Sequence, residues 1–278
     1  MLTVSIDMDF ERKEITDSLP CELKKIVGTK VGRENFAGCS NSRNFHIEGI
    51  LEGRNAFLKI VQGHLRKELE RECLIYKWVR GKLPVPEVFY FGLHRERAYL
   101  LVSEIEGVEA SSSRFSSDPE NMVRILAHGL KMIHSVEISN CPFDRNIETK
   151  MKEARFNIAN GLVDVEDLQP ENRGKTAEEI LQMLEDKKPK SEDLVFTHGD
   201  YCLPNVIING NELSGFIDMG RGGVADRYQD LALAYRSIKY NLPPDNQEGC
   251  LRLFFKKYGV TEIDYSKIQY YVLLDELF

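Results

Sequence analysis

Short apolar runs separated by turn residues fill the first third of the chain: Asn44-Phe45-His46-Ile47, Ala56-Phe57-Leu58-Lys59-Ile60-Val61, Val88-Phe89-Tyr90-Phe91 and Ala98-Tyr99-Leu100-Leu101-Val102. Runs of this length, rich in β-branched and aromatic residues, predict strands. One segment of helical period, about 64 to 80, interrupts them. Beyond Gly107 the spacing changes to long amphipathic stretches, roughly 119 to 136, 149 to 162, 176 to 187, 227 to 238, 245 to 258 and 264 to 277, which predict helices. The pattern implies an α+β chain of two lobes. Residues 1–105 form a small antiparallel β lobe with one main helix, and residues 108–278 a larger, mostly helical lobe. The boundary falls at Ser103-Glu104-Ile105-Glu106-Gly107, where a strand ends in acids and a glycine.

Inside the second part, two apolar runs, Leu194-Val195-Phe196 and Val206-Ile207-Ile208, flank the polar loop HGDYCLPN at 198–205. Asn209-Gly210 then signals a tight turn, since its central residues tolerate positive φ. It joins Val206-Ile207-Ile208 to Leu213-Ser214-Gly215-Phe216-Ile217 and brings Asp218 back beside Asn205. An amide oxygen and a carboxylate side by side suit Mg²⁺, which takes few protein oxygens and completes its shell with phosphate and water. Asp200 is left to orient an attacking hydroxyl and accept its proton. Each residue alone is commonplace: Asp and Asn are turn formers, and His198 is the kind of residue that serves as a structural hydrogen-bonder. As a set they point to phosphoryl transfer.

A phosphate donor, ATP or GTP, needs its own grip. Lys59 lies mid-strand in an apolar run, where an unpaired ammonium is costly and calls for an anion. In the helix that follows, Leu65, Leu69, Cys73 and Tyr76 form the buried arc; Glu72 falls within it and Glu70 outside. Glu72 is therefore the expected partner of Lys59. The turn Gly38-Cys39-Ser40-Asn41-Ser42 offers backbone N–H groups and hydroxyls to phosphates. Spacing leaves Phe57 equally fit to cover a purine or to pack in the core.

Composition narrows the class. With 278 residues, 42% of them hydrophobic, the chain can bury a substantial core. Its 44 acids against 37 bases give a formal charge of -7, which argues against nucleic acid as a partner and favours a cationic ligand. The ten acids against five bases between Asp164 and Asp193, with Asp167 and Glu171 among them, concentrate negative charge. Asp275, Glu276 and the α-carboxylate of Phe278 add more, in a group that repels itself unless a cation comes between. Six cysteines without a CxxC pair read as reduced thiols. The acidic N-terminal segment and the lack of a long apolar run predict a cytoplasmic protein with no membrane partner.

HGDYCLPN, SGFIDMGRGGVADRYQDLALAYRSI, Gly81-Lys82-Leu83-Pro84-Val85-Pro86, Cys141-Pro142 and the ending YYVLLDELF together resemble the bacterial aminoglycoside 3'-phosphotransferases, from about residue 36 onward. That resemblance implies the bilobal protein-kinase-like fold and transfer of the ATP γ-phosphate to the 3'-hydroxyl of kanamycin- and neomycin-type antibiotics, conferring resistance. It makes Asp200 the catalytic aspartate, Asn205 and Asp218 the Mg²⁺ ligands, and Lys59 with Glu72 the phosphate-positioning pair. Ser40 becomes a phosphate-loop contact, Phe57 the adenine-stacking ring, and Ser103, Glu104 and Ile105 the hinge. The antibiotic side maps onto Arg221, Arg236, Asp275, Glu276 and Phe278, beside the acids Asp167 and Glu171, while Asp230 braces the catalytic loop. The chain departs from that family at Pro170 and at Lys239-Tyr240-Asn241, where many relatives carry acids. A kinase of another small alcohol, such as a macrolide, choline or a sugar amine, would use the same loop but would not need the acidic ending. A non-catalytic nucleotide binder would be expected to lack one of Lys59, Asp200, Asn205 or Asp218, and the short connection after Asp218 leaves little room for a peptide-binding segment.

Overall fold

The computed structural model describes residues 19–28, 34–35 and 42–278. The chain divides into two compact units, the first ending at Ile105 and the second running Glu106–Phe278. Both are built from antiparallel strands and helices. The turn carrying Ser40 lies outside the described residues.

In the first unit, β1 (Glu34–Asn35), β2 (Arg43–Ile50), β3 (Arg54–Gln62), β4 (Val88–His94) and β5 (Arg97–Ser103) form one antiparallel sheet in the order β1-β2-β3-β5-β4. Period-two alternation gives β3 two faces. Ala56, Leu58 and Ile60 point into a core shared with Phe45, Ile47, Tyr99 and Leu101 and covered by Leu19, Leu23 and Val27 of α1 (Cys21–Val27) and the residues before it. Phe57 and Lys59 point the other way, Lys59 to the side where α2 (Leu65–Val79) lies. The helix α1, with no side-chain cap, has no counterpart in the pattern reading.

The second unit is mainly helical: α3 (Pro119–His134), α4 (Ile147–Ala159), α5 (Ala177–Asp186), α6 (Tyr228–Asn241), α7 (Pro244–Tyr258) and α8 (Tyr265–Asp275). Local chemistry fixes several starts. Asp118 and Asn146 accept the N–H groups of Asn121 and Thr149, and Thr176 with Glu179 makes a reciprocal capping box. β6 (Val108–Glu109), ahead of α3, forms a three-stranded sheet with β8 (Val206–Asn209) and β9 (Glu212–Phe216), and β7 (Leu194–Thr197) pairs with β10 (Gly223–Asp226); β7 to β10 lie between α5 and α6. The hairpin turn differs from expectation by one residue. Asn209 pairs with Glu212, so the central residues are Gly210 and Asn211, with positive φ at Gly210 (60°) but not at Asn211. Glycine at the first central position satisfies a turn that needs positive φ there and not at the second. No described helix is long and apolar enough to cross a membrane.

Candidate active site

The β8–β9 hairpin sets the geometry of the catalytic loop. Val206 pairs with Phe216, and the Ile217 N–H donates to the Asn205 carbonyl at 3.0 Å, so Asp218 follows directly beside Asn205. Asn205 is buried, and its Nδ2 donates both to the Asp200 carbonyl and to Asp200 Oδ2, each at 2.9 Å. Both amide hydrogens are thereby used on Asp200, which leaves Oδ1 as the atom able to face a cation. Asp218 holds φ 60° and ψ 46°, a left-handed conformation that Asp tolerates better than most residues. Burial raises the Asp200 carboxyl, the Asp275 charge raises it further and Arg221 opposes, with Asp218 also raising it. Oxygen donors and carboxylates therefore meet at this end of the hairpin, which fits a small divalent cation of hard character.

A buried scaffold holds the loop from behind. Asp230, at the start of α6, accepts the His198 N–H at 2.7 Å and the Gly199 N–H at 2.8 Å. His134 Nε2 lies 3.1 Å from the same carboxylate, His134 Nδ1 lies 2.7 Å from the Tyr258 hydroxyl, and Arg227 donates to that hydroxyl at 3.0 Å. Burial alone would raise Asp230, but the His134 contact and the loop N–H groups outweigh it and hold its carboxyl below the usual range. Burial pushes the Tyr258 hydroxyl up to about 12, against Arg227. His198 Nε2 donates to the Ile217 carbonyl at 2.9 Å while its Nδ1 takes the Asp200 N–H at 3.3 Å, a structural role. Leu203 N–H donates to Ser237 Oγ at 2.9 Å. Gly199 is required at φ 86°, since a Cβ there would overlap the Arg221 carbonyl. Asp230 as a brace was legible in the sequence through the resemblance; His134, Tyr258, Arg227 and Ser237 carried no signal, because they act from up to 124 residues away.

In the first unit, Lys59 Nζ lies 2.6 Å from Glu72 Oε1, with Glu72 buried. Phe57 is half-buried, its ring 4.9 Å from that of His46, while its neighbours Ala56 and Leu58 are sealed. Ser103 N–H donates to the Glu87 carbonyl, and Ser103 Oγ accepts the Glu87 N–H, both at 2.8 Å. Glu104 N–H donates to the Asn55 carbonyl at 3.0 Å, and its carboxylate lies 3.2 Å from His46 Nε2. Ile105 is half-buried.

The acidic ending differs from the expectation of self-repelling charges. Asp275 Oδ2 lies 2.5 Å from Arg236 Nη2, and Asp275 Oδ1 lies 3.4 Å from Arg221 Nη1. Although burial works against it, Arg236 first and then Arg221 hold the Asp275 carboxyl below its ordinary range. Tertiary folding supplies the counter-cations from α6 and the 219–221 turn, which spacing near the C-terminus could not show. Glu276 Oε1 accepts from Asn172 Nδ2 at 2.7 Å, Oε2 is sealed from solvent, and the Gln169 backbone N–H acts on the same carboxylate. Burial raises this carboxyl, with the Asn172 contact opposing. Phe278 lies with its ring 5.4 Å from Lys150 Nζ. Asp167 and Glu171 are exposed, in the segment that leads to Asn172. The second unit thus gathers Asp200, Asn205, Asp218, Arg221, Arg236 and Asp275, while Asp167 and Glu171 stand on the surface.

Comparison with known proteins places the chain in a family. Residues 33–271 match the profile of the Phosphotransferase enzyme family. An aminoglycoside 3'-phosphotransferase from Niallia circulans is 38% identical over 265 residues, covering 95% of this chain and 99% of that relative. The crystal structure of an aminoglycoside 3'-phosphotransferase of type VIII superposes with a TM-score of 0.77 at 30% identity, over 88% of this chain and 92% of that one. An aminoglycoside phosphotransferase from Streptomyces rimosus, solved with ADP and streptomycin, gives 0.78 at 26% identity, over 92% of this chain and 95% of that one. The fold is the protein-kinase-like α+β fold of these enzymes, and the chain belongs to the Phosphotransferase enzyme family.

Proposed function

We propose that the chain transfers the γ-phosphoryl group of ATP to the 3'-hydroxyl of kanamycin- and neomycin-type aminoglycosides, and so confers resistance from the cytoplasm. The observation that carries this reading is the Asp200–Asn205 contact: one amide fixes the carboxylate through Nδ2, which leaves its own Oδ1 as the atom for a cation. In the proposed reaction the acceptor oxygen bonds to phosphorus, the bond to ADP breaks, and the hydroxyl proton passes to Asp200. Burial raises this carboxyl and makes it a better acceptor. Mg²⁺ held by Asn205 Oδ1 and Asp218 would neutralise phosphate charge. Lys59, fixed by Glu72, would hold donor phosphates with Ser40; Phe57 would cover the adenine, and Ser103 to Ile105 would line its edge.

For the acceptor, the half-buried Glu276 would supply negative charge suited to an ammonium group. Cations such as Arg221 and Arg236 are poor partners for a polyamine. Their role is to fix Asp275 and to turn remaining N–H donors to sugar oxygens. Phe278 closes this wall, while Asp167 and Glu171 add long-range attraction. Phosphate transfer from ATP to kanamycin, followed by phosphorus NMR, tests the reading. Kanamycin should gain a 3'-phosphate and tobramycin, which lacks that hydroxyl, should not; equal phosphorylation of both, or of neither, overturns it in favour of another small alcohol.

A further inference from the structure

Lys150, on α4, is 2% exposed. A buried cation is expensive, and an apolar side chain of the same length would fill the space at less cost. The groups around it come from every neighbouring element: Arg145 before α4, Arg221 in the 219–221 turn, Asp230 on α6 and Asp275 on α8. Arg145 is already engaged by Glu153 at 2.5 Å. Burial first, then Arg145, pushes the Lys150 amine down to about 7, with Asp275 opposing. The Phe278 ring lies 5.4 Å from Nζ, within the range of a cation–π interaction. Two helical turns further along the same face, Asn157 Nδ2 donates to the Leu277 carbonyl at 2.9 Å.

Resting on the substrate wall assigned above, we infer that Lys150 is a positioning residue for that wall. It holds the Phe278 ring from beneath while Asn157 holds Leu277 and the arginines hold Asp275. Glu276, the next residue after Asp275, is thereby presented in one place. A structural filler would be replaceable by any side chain of equal volume; a positioning cation would not.

Lys150→Met keeps length and removes charge, and Lys150→Arg keeps charge. Lys150→Met should raise the kanamycin KM about tenfold with kcat and the ATP KM within about twofold, and Lys150→Arg should recover most of the loss. In a Phe278→Leu background the same change should add less than about twofold, since the ring it grips is gone. Independently of any substrate, amide hydrogen exchange at residues 274–278 should quicken in Lys150→Met and stay near parental in Lys150→Arg. Parental exchange in Lys150→Met, or an effect of equal size with and without the Phe278 ring, overturns the inference. If the parent does not phosphorylate kanamycin, the functional reading falls, and the exchange data still decide whether Lys150 holds this segment.

Discussion

The loop from His198 to Asn205 and the acidic segment from Asp164 to Glu171 both carry charge outside the α-helices, yet they are held in different ways. The first is clamped by buried groups from distant parts of the chain: Asp230 takes two of its N–H groups, Ser237 takes a third and Asn205 fixes Asp200. The second is held largely by itself, with Glu166 N–H on Asp164 Oδ1 and Asp167 N–H on the Asp164 carbonyl, and with Leu168 as its buried anchor. Proton transfer demands placement within fractions of an ångström. Attracting a polycation demands only that negative charge be near. The molecule spends its buried hydrogen bonds where geometry matters.

The sharpest way to break this comparison is at Asp200. Asp200→Ala should lower kcat by about 10² to 10⁴ while nucleotide affinity, measured by ADP titration, stays near parental; turnover close to the parent removes Asp200 from the mechanism. Asp230→Asn comes next, because it acts on the clamp itself. Removing this buried charge from His134 and the loop should cost about 3 to 5 kcal/mol of stability in urea unfolding at pH 7 and lower kcat with it. The pH dependence has a definite sign. The folded-state carboxyl lies below its unfolded value, so its contribution is complete above about pH 4 and is lost as pH falls through the folded pKa. The parent and Asp230→Asn should therefore converge in stability at the acid end, and a constant gap across pH would show that the charge is not what Asp230 contributes.

Asp218→Asn tests the other end of the hairpin with less disruption, since Asn also tolerates the left-handed backbone that Asp218 adopts. The Mg²⁺ concentration for half-maximal activity should rise by about tenfold or more, with the fold unchanged by circular dichroism. Superimposable Mg²⁺ titrations would separate Asp218 from the metal. The smallest effect belongs to the exposed segment. Asp167→Asn with Glu171→Gln should raise the kanamycin KM by no more than about fivefold, the scale of exposed charge pairs. The difference should shrink as salt is raised to about 0.5 M. A large, salt-independent loss would mean that this segment grips the antibiotic directly and is not merely an attracting surface.

The chain sequence determined what local rules govern. Period-two alternation fixed that Lys59 faces away from Leu58 and Ile60, and helical period placed Glu72 rather than Glu70 in the buried arc; the 2.6 Å pair follows. A hairpin signal eleven residues beyond His198 was enough to return Asp218 to Asn205, although the residues at the turn are Gly210 and Asn211. Separations this short leave few ways for the chain to close. Tertiary structure alone decided the rest. Arg236 and Arg221 reach Asp275 across 39 and 54 residues, His134 reaches Asp230 across 96, and Lys150 meets Phe278 from another helix. Nothing in the spacing of these residues distinguishes them from surface charges. Their roles come from burial, which makes an ion pair or hydrogen bond consequential by removing the water that would otherwise replace it, and burial is a property of the packed chain.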